Sequence, residues 1–207
     1  METPPTVSRP HATFRLVCPT GCAPFPANRC NTILRLAILD AIALANNAFD
    51  KLTAGTRDPR MIDLFRASFG HDPSLPVKWA NNEPSGISVA KRFRVCAQEL
   101  GGGRRTLYRC GCPGARSSFV ASTVSPTEVR LCPRFWGASP QPGLPARYFR
   151  AATILHEMLH QLFIEFVLHD AKERRRNNAH CYTVFAMRLA HHAAVPALVE
   201  RCVNRHT

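Results

Sequence analysis

The chain is 207 residues long, enough for one sizeable core and little more, so a single site is expected. Its 45% hydrophobic and 20% charged residues exclude intrinsic disorder and collagen-like architecture over most of the length. A net charge of +13 favours anionic partners such as nucleic acid, acidic membranes or wall polymers, and nine cysteines point to disulfides or bound metal, with at least one thiol left over.

Residues 1–30 carry six prolines and three cysteines with no period, which predicts an extended N-terminal arm cross-linked to a body of residues 31–207. From Asn31 to about Leu52 a broad apolar stripe (Ile33, Leu34, Leu36, Ala37, Ile38, Ala41, Ile42, Leu44, Ala45) predicts a helix capped by Asn31 or Thr32. A short helix follows over Pro59 to Ser68, ending at Gly70. The middle of the chain predicts short strands over Ser88 to Gln98, Thr106 to Cys110, Phe119 to Val124 and Glu128 to Cys132. Gly101-Gly102-Gly103, Pro113-Gly114 and Ser125-Pro126 supply turns between them. A Pro/Gly-rich loop, Pro133 to Pro145, leads to a long helix over Ala146 to Val167. A basic break from Asp170 to Asn178 precedes a last helix, Ala179 to Ala193. This order predicts an α+β single domain with a small, mainly antiparallel sheet. No apolar run approaches the roughly eighteen residues of a membrane span, and the N-terminus lacks the apolar stretch of a signal peptide.

The most informative segment is His156-Glu157-Met158-Leu159-His160. Residues i and i+4 of a helix lie one above the other, so the two histidines can aim at one point with Glu157 beside them, the half-site of a catalytic zinc with its general base. Residue frequencies give roughly 0.015 chance occurrences of the pattern in a chain of this composition. A catalytic zinc needs a third protein ligand and leaves its fourth position to water. Asp170, ten residues past His160, and His180, twenty past it, both suit that role; spacing leaves the choice between them open.

The sequence resembles the deuterolysin-like zinc metallopeptidases, the group that includes the fungal lysine-specific metalloendopeptidases or aspzincins. The resemblance spans about Asn31 to Leu189. It rests on the alanine-rich first helix, Phe69-Gly70, the Cys-x-Cys at Cys110 and Cys112, Leu131-Cys132-Pro133-Arg134-Phe135-Trp136, the HExxH helix and the segment Asn178-Ala179-His180-Cys181-Tyr182-Thr183-Val184-Phe185-Ala186. It implies a zincin-like fold with an active-site helix carrying HExxH, and an exported zinc endopeptidase holding one catalytic Zn2+ on His156, His160 and Asp170. Glu157 would take the proton of the zinc-bound water. The family's Gly-Thr-x-Asp-x-x-Tyr-Gly segment is altered here: Val167-Leu168 and Glu173-Arg174 replace its flanks. His180 therefore stands as substrate-binding residue or alternative third ligand. With the family tyrosine absent, the donors to test for the oxyanion are His180, then Tyr182. The resemblance also implies disulfides Cys112 to Cys132 and Cys110 to an arm cysteine such as Cys30; Cys181 to Cys202 is a third expected link.

Weaker signals have simpler explanations. The three glycines before Arg104 and Arg105 lack the Gly-Lys-Ser/Thr of a phosphate loop and predict a hairpin turn. Lys172, Arg174, Arg175 and Arg176 predict a solvated basic loop. A structural zinc on Cys18, Cys22, Cys110 and Cys112 lacks the usual two-residue spacing. The expected partner is a protein or peptide substrate, handled by a monomer; nucleic acid is disfavoured because no stacking or recognition-helix signature accompanies the 8% aromatic content. The alternatives to an active peptidase are a catalytically degenerate peptidase-fold protein and a basic, non-catalytic binding module.

Overall fold

The computed structural model describes residues 14–18, 22, 25–54, 58–77, 82–103, 105–112, 119–137, 144–163, 178–190 and 202. Its centre is helix α1, Ala27–Ala54, which starts one residue after Pro26 and therefore inside the predicted arm. The Pro26 carbonyl accepts from the amides of Arg29 and Cys30 at 3.0 and 3.1 Å, closing the first turn. Cys30, Leu34, Ala37, Ile38, Ala41, Ala45, Ala48 and Leu52 recur at helical spacing and are buried, so one face of α1 enters the core. By length and apolar composition α1 also meets the requirement for a membrane span; here it packs on α3 (Ser85–Gln98), α5 (Ala146–Leu162) and α6 (Ala179–Leu189).

Helix α2, Pro59–Phe69, starts where predicted and ends one residue past the predicted Ser68, each end for a local reason. The Asp58 carboxylate accepts from the Arg60 amide at its start, and Gly70 at φ 77° ends it by donating its amide to the Arg66 carbonyl at 2.8 Å. Helix α3 corrects the predicted strand over Ser88 to Gln98. Its β-branched residues favour a strand, yet Val89, Ala90, Phe93, Cys96 and Ala97 bury at helical spacing, and burial of that face against α1 outweighs local propensity. A π-helical turn, Glu99–Gly103, ends α3 in place of the expected hairpin turn.

The main sheet has strand order β1-β4-β6-β5, with β1 at Phe14–Val17, β4 at Thr106–Cys110, β5 at Ala121–Ser125 and β6 at Glu128–Leu131. The expectation of a mainly antiparallel sheet is corrected: β1 with β4 and β4 with β6 are parallel, and β5 with β6 is antiparallel. Helices α1 to α3 intervene between β1 and β4, and such a crossover is what parallel pairing requires. A separate antiparallel pair joins β2 (Pro76–Val77) to β3 (Glu83–Pro84). Along the strands, Thr106, Tyr108, Ala121, Val129 and Leu131 are buried. The alternate residues Arg15, Arg109, Arg130 and Val124 face the other way and are exposed or half-buried; the sheet is thus apolar inside and arginine-rich outside.

Four disulfides staple these elements: Cys18–Cys110, Cys22–Cys30, Cys112–Cys132 and Cys181–Cys202. Two expected pairs are present, but Cys30 is not joined to Cys110. Cys22 reaches Cys30 across the start of α1, and parallel pairing of β1 with β4 sets Cys18 beside Cys110. The four cysteines considered for a structural zinc are therefore all disulfide-bonded. Cys96 is the free thiol, and burial pushes its pKa up. Four disulfides fit an oxidising, extracellular type of compartment.

Two arginines fix the helices further. Arg147 at the start of α5 forms a two-pronged ion pair with the largely buried Asp40 of α1. Arg150 donates to the carbonyls of Phe135, Trp136 and Gly137 at 2.9, 2.9 and 2.8 Å, satisfying the end of α4, Pro133–Trp136.

Candidate functional site on helix α5

The HExxH segment forms the last turns of α5, as its spacing predicts. His156 and His160 lie on one face, their Nε2 atoms 3.1 Å apart in hydrogen-bond contact and their rings edge to face. His180, in the first turn of α6, is buried and brings its ring to 4.3 Å from that of His156, tilted by 35°. The Asn178 side chain places it by accepting from the His180 amide at 2.9 Å, capping α6. The fold thus gathers three imidazoles from two helices, packed ring against ring.

Glu157 turns away from this cluster toward the sheet. It is 6% exposed, and its Oε2 accepts from the Thr123 amide at 2.7 Å and from Thr123 Oγ1 at 2.6 Å. The same hydroxyl lies 3.1 Å from the Glu157 carbonyl oxygen. Gln161, one turn on, continues this seam at longer range, with contacts of 3.5 Å to Thr106 Oγ1 and the Ser125 carbonyl. The face of α5 beyond the histidines is therefore a polar seam against β4 and β5. Beneath it Tyr108 is fully enclosed; burial raises its pKa and the nearby charge of Glu157 adds to the effect.

Tyr182, the second donor considered for the oxyanion, sits in the core. It is fully buried among Phe69 and Phe93, and its Oη lies 3.0 Å from Arg92 Nη1, which donates to it. Burial pushes its pKa up to about 12 despite the neighbouring guanidinium. Arg92 also stands over the rings of Tyr182 and Phe163, so Tyr182 belongs to the aromatic core between α2, α3 and α6.

The zinc expectations are corrected by this geometry. Among the described residues no group of three or more His, Cys, Asp or Glu side chains could hold a metal ion. His156 and His160 are turned into contact with each other, His180 offers His156 a ring face, and the Glu157 carboxylate is engaged by Thr123. A catalytic Zn2+ does not fit these positions, and the zincin-like class, the zinc-activated mechanism and the metalloendopeptidase activity lose their support with it. Asp170, the remaining expected ligand, lies outside the described residues, as do the basic run Lys172 to Arg176 and the predicted end of α5 at Val167.

A cavity of about 300 Å³ lies elsewhere, lined by Leu16, Cys18, Ala27, Asn28 and Asn31. The residues that sequence reasoning missed are Thr123 and Arg92, which hold Glu157 and Tyr182, and the arginines of the outer sheet face. Alternation in Thr106-Leu107-Tyr108-Arg109-Cys110 is the sequence signal for the last of these.

Fold and site together define a disulfide-stapled α+β domain built on a small mixed sheet. No protein-family model matches the chain and no curated protein matches it.

Proposed function

We propose that this chain is an exported, non-catalytic binding module whose basic surface engages an acidic partner. The observation that carries this reading is the net charge of +13, in which arginine supplies 23 of the 27 basic residues. Arginine presents a planar fork of donors suited to carboxylate, sulfate or phosphate, and it stays charged at every physiological pH. The disulfides support export, since such bonds persist in oxidising surroundings. In this reading the histidines of α5 and α6 are packing groups, and Glu157 anchors α5 to the sheet.

The test is fluorescence anisotropy of a labelled acidic peptide, a sulfated polysaccharide and a DNA duplex, each at low and high salt. Binding to at least one of them that weakens as salt rises is expected. Failure to bind any of the three would overturn the reading, and so would casein hydrolysis by the parent protein that Glu157→Gln abolishes.

A further inference from the structure

We infer that the outer face of the four-stranded sheet is the docking surface, and that its occupant is an extended acidic polypeptide. The inference rests on the acidic-partner reading and assigns it a place and a ligand class.

Paired strand residues point to the same side of a sheet. The register therefore sets Arg15, Leu107 and Glu128 in one row, and Val17, Arg109, Arg130 and Ser122 in the next. The face carries three arginines against one glutamate. Arg109 and Arg130 keep 45% and 35% of their side-chain surface exposed while both approach Glu128, at 3.2 and 3.5 Å. Glu128 shows what the face can do chemically, because two guanidinium groups already share one carboxylate there. Arg15 is exposed in the neighbouring row, about 7–8 Å away on the diagonal of the sheet.

Three features favour a polypeptide over a uniformly charged polymer. An extended peptide repeats its side chains on one face about every 6.7 Å, so acidic residues at alternate positions match successive rows. Leu107 shares a row with Arg15, and Val17 shares one with Arg109 and Arg130, apolar surface beside the arginines that an apolar residue on the sheet-facing side of a peptide can cover and a sugar-phosphate or sulfated backbone cannot. Glu128 sits in the middle of the face, where a polymer with a charge on every unit would be forced over it; a peptide can place a neutral residue there. The strand residues of this face include no aromatic ring, so the stacking platform of a single-stranded nucleic-acid binder is missing from them.

The experiment measures binding of a labelled peptide of glutamates interspersed with leucines to the full chain and two variants. The first is Arg15→Glu with Arg109→Glu; the second is Arg60→Glu with Arg188→Glu, on α2 and α6, which reverses the same charge away from the sheet. Loss of about tenfold in affinity for the first variant and less than about twofold for the second is expected, with both keeping the parent's circular dichroism and melting temperature. Equal losses in the two variants would overturn the assigned face while leaving the basic-module reading intact. Tighter binding of a sulfated polysaccharide or DNA, lost in the first variant, would overturn the polypeptide as occupant. No binding of any anionic probe would overturn inference and reading together.

Discussion

Thr123 and Glu157, 34 residues apart, tie the edge strand β5 to helix α5: the strand residue donates its amide and its hydroxyl to one buried carboxylate oxygen. A sequence pattern that predicts a general base is thus used as a strut. Thr123→Val keeps the shape and the amide bond but removes the hydroxyl from a buried charge. It should cost about 1.5–3 kcal/mol, read as a lower urea midpoint with unchanged slope. An unaltered midpoint would show that the strut carries no load.

The ion pair of Asp40 with Arg147 is asymmetric, the aspartate side chain being 11% exposed and the arginine side chain 60%. Removing Arg147 strands a charge that is largely out of water, so Arg147→Ala should destabilise by about 1–3 kcal/mol. The double variant with Asp40→Ala should fall short of the sum of the single ones by about 1 kcal/mol in a double-mutant cycle. Additive costs would mean that the pair is not coupled.

The disulfides should differ in worth according to the loops they close. Cys18–Cys110 spans 92 residues and Cys22–Cys30 spans 8. Chain entropy assigns about 4.6 and about 2.5 kcal/mol to those loops. Paired Cys→Ser variants, compared by thermal melting, should therefore lose more stability at the first site. The reverse ranking would contradict the loop argument.

Alkali should unfold the protein through its buried phenols. Tyr182 has a folded pKa of about 12 against an ordinary 10.0, raised by burial, and Tyr108 is raised for the same reason. A raised folded pKa means stability is complete below about pH 10 and is lost as pH climbs toward 12. Tyrosinate absorbance from these two rings should appear together with the loss of near-ultraviolet circular dichroism. Tyr182→Phe should lessen that alkaline sensitivity. Ionisation of both phenols in a still-folded protein would refute it.

Local features of the fold are legible in the amino-acid sequence. The apolar stripe of Leu34, Ala37, Ile38 and Ala41 marks α1, Asp58, Pro59 and Gly70 punctuate α2, and the histidine spacing sets His156 above His160, because each depends on residues within a turn or two of one another. The Ser85–Gln98 segment misleads because β-branched residues signal strand locally, whereas its buried face meets α1 only in the folded chain. What tertiary structure alone decides is partnership: Thr123 for Glu157, Cys18 for Cys110, parallel pairing for β1, and an outward face for Arg15, Arg109 and Arg130. A carboxylate's chemistry follows from what lies within about 3 Å of it, and which of 207 residues that is depends on where distant segments cross, a choice that no spacing within the motif contains.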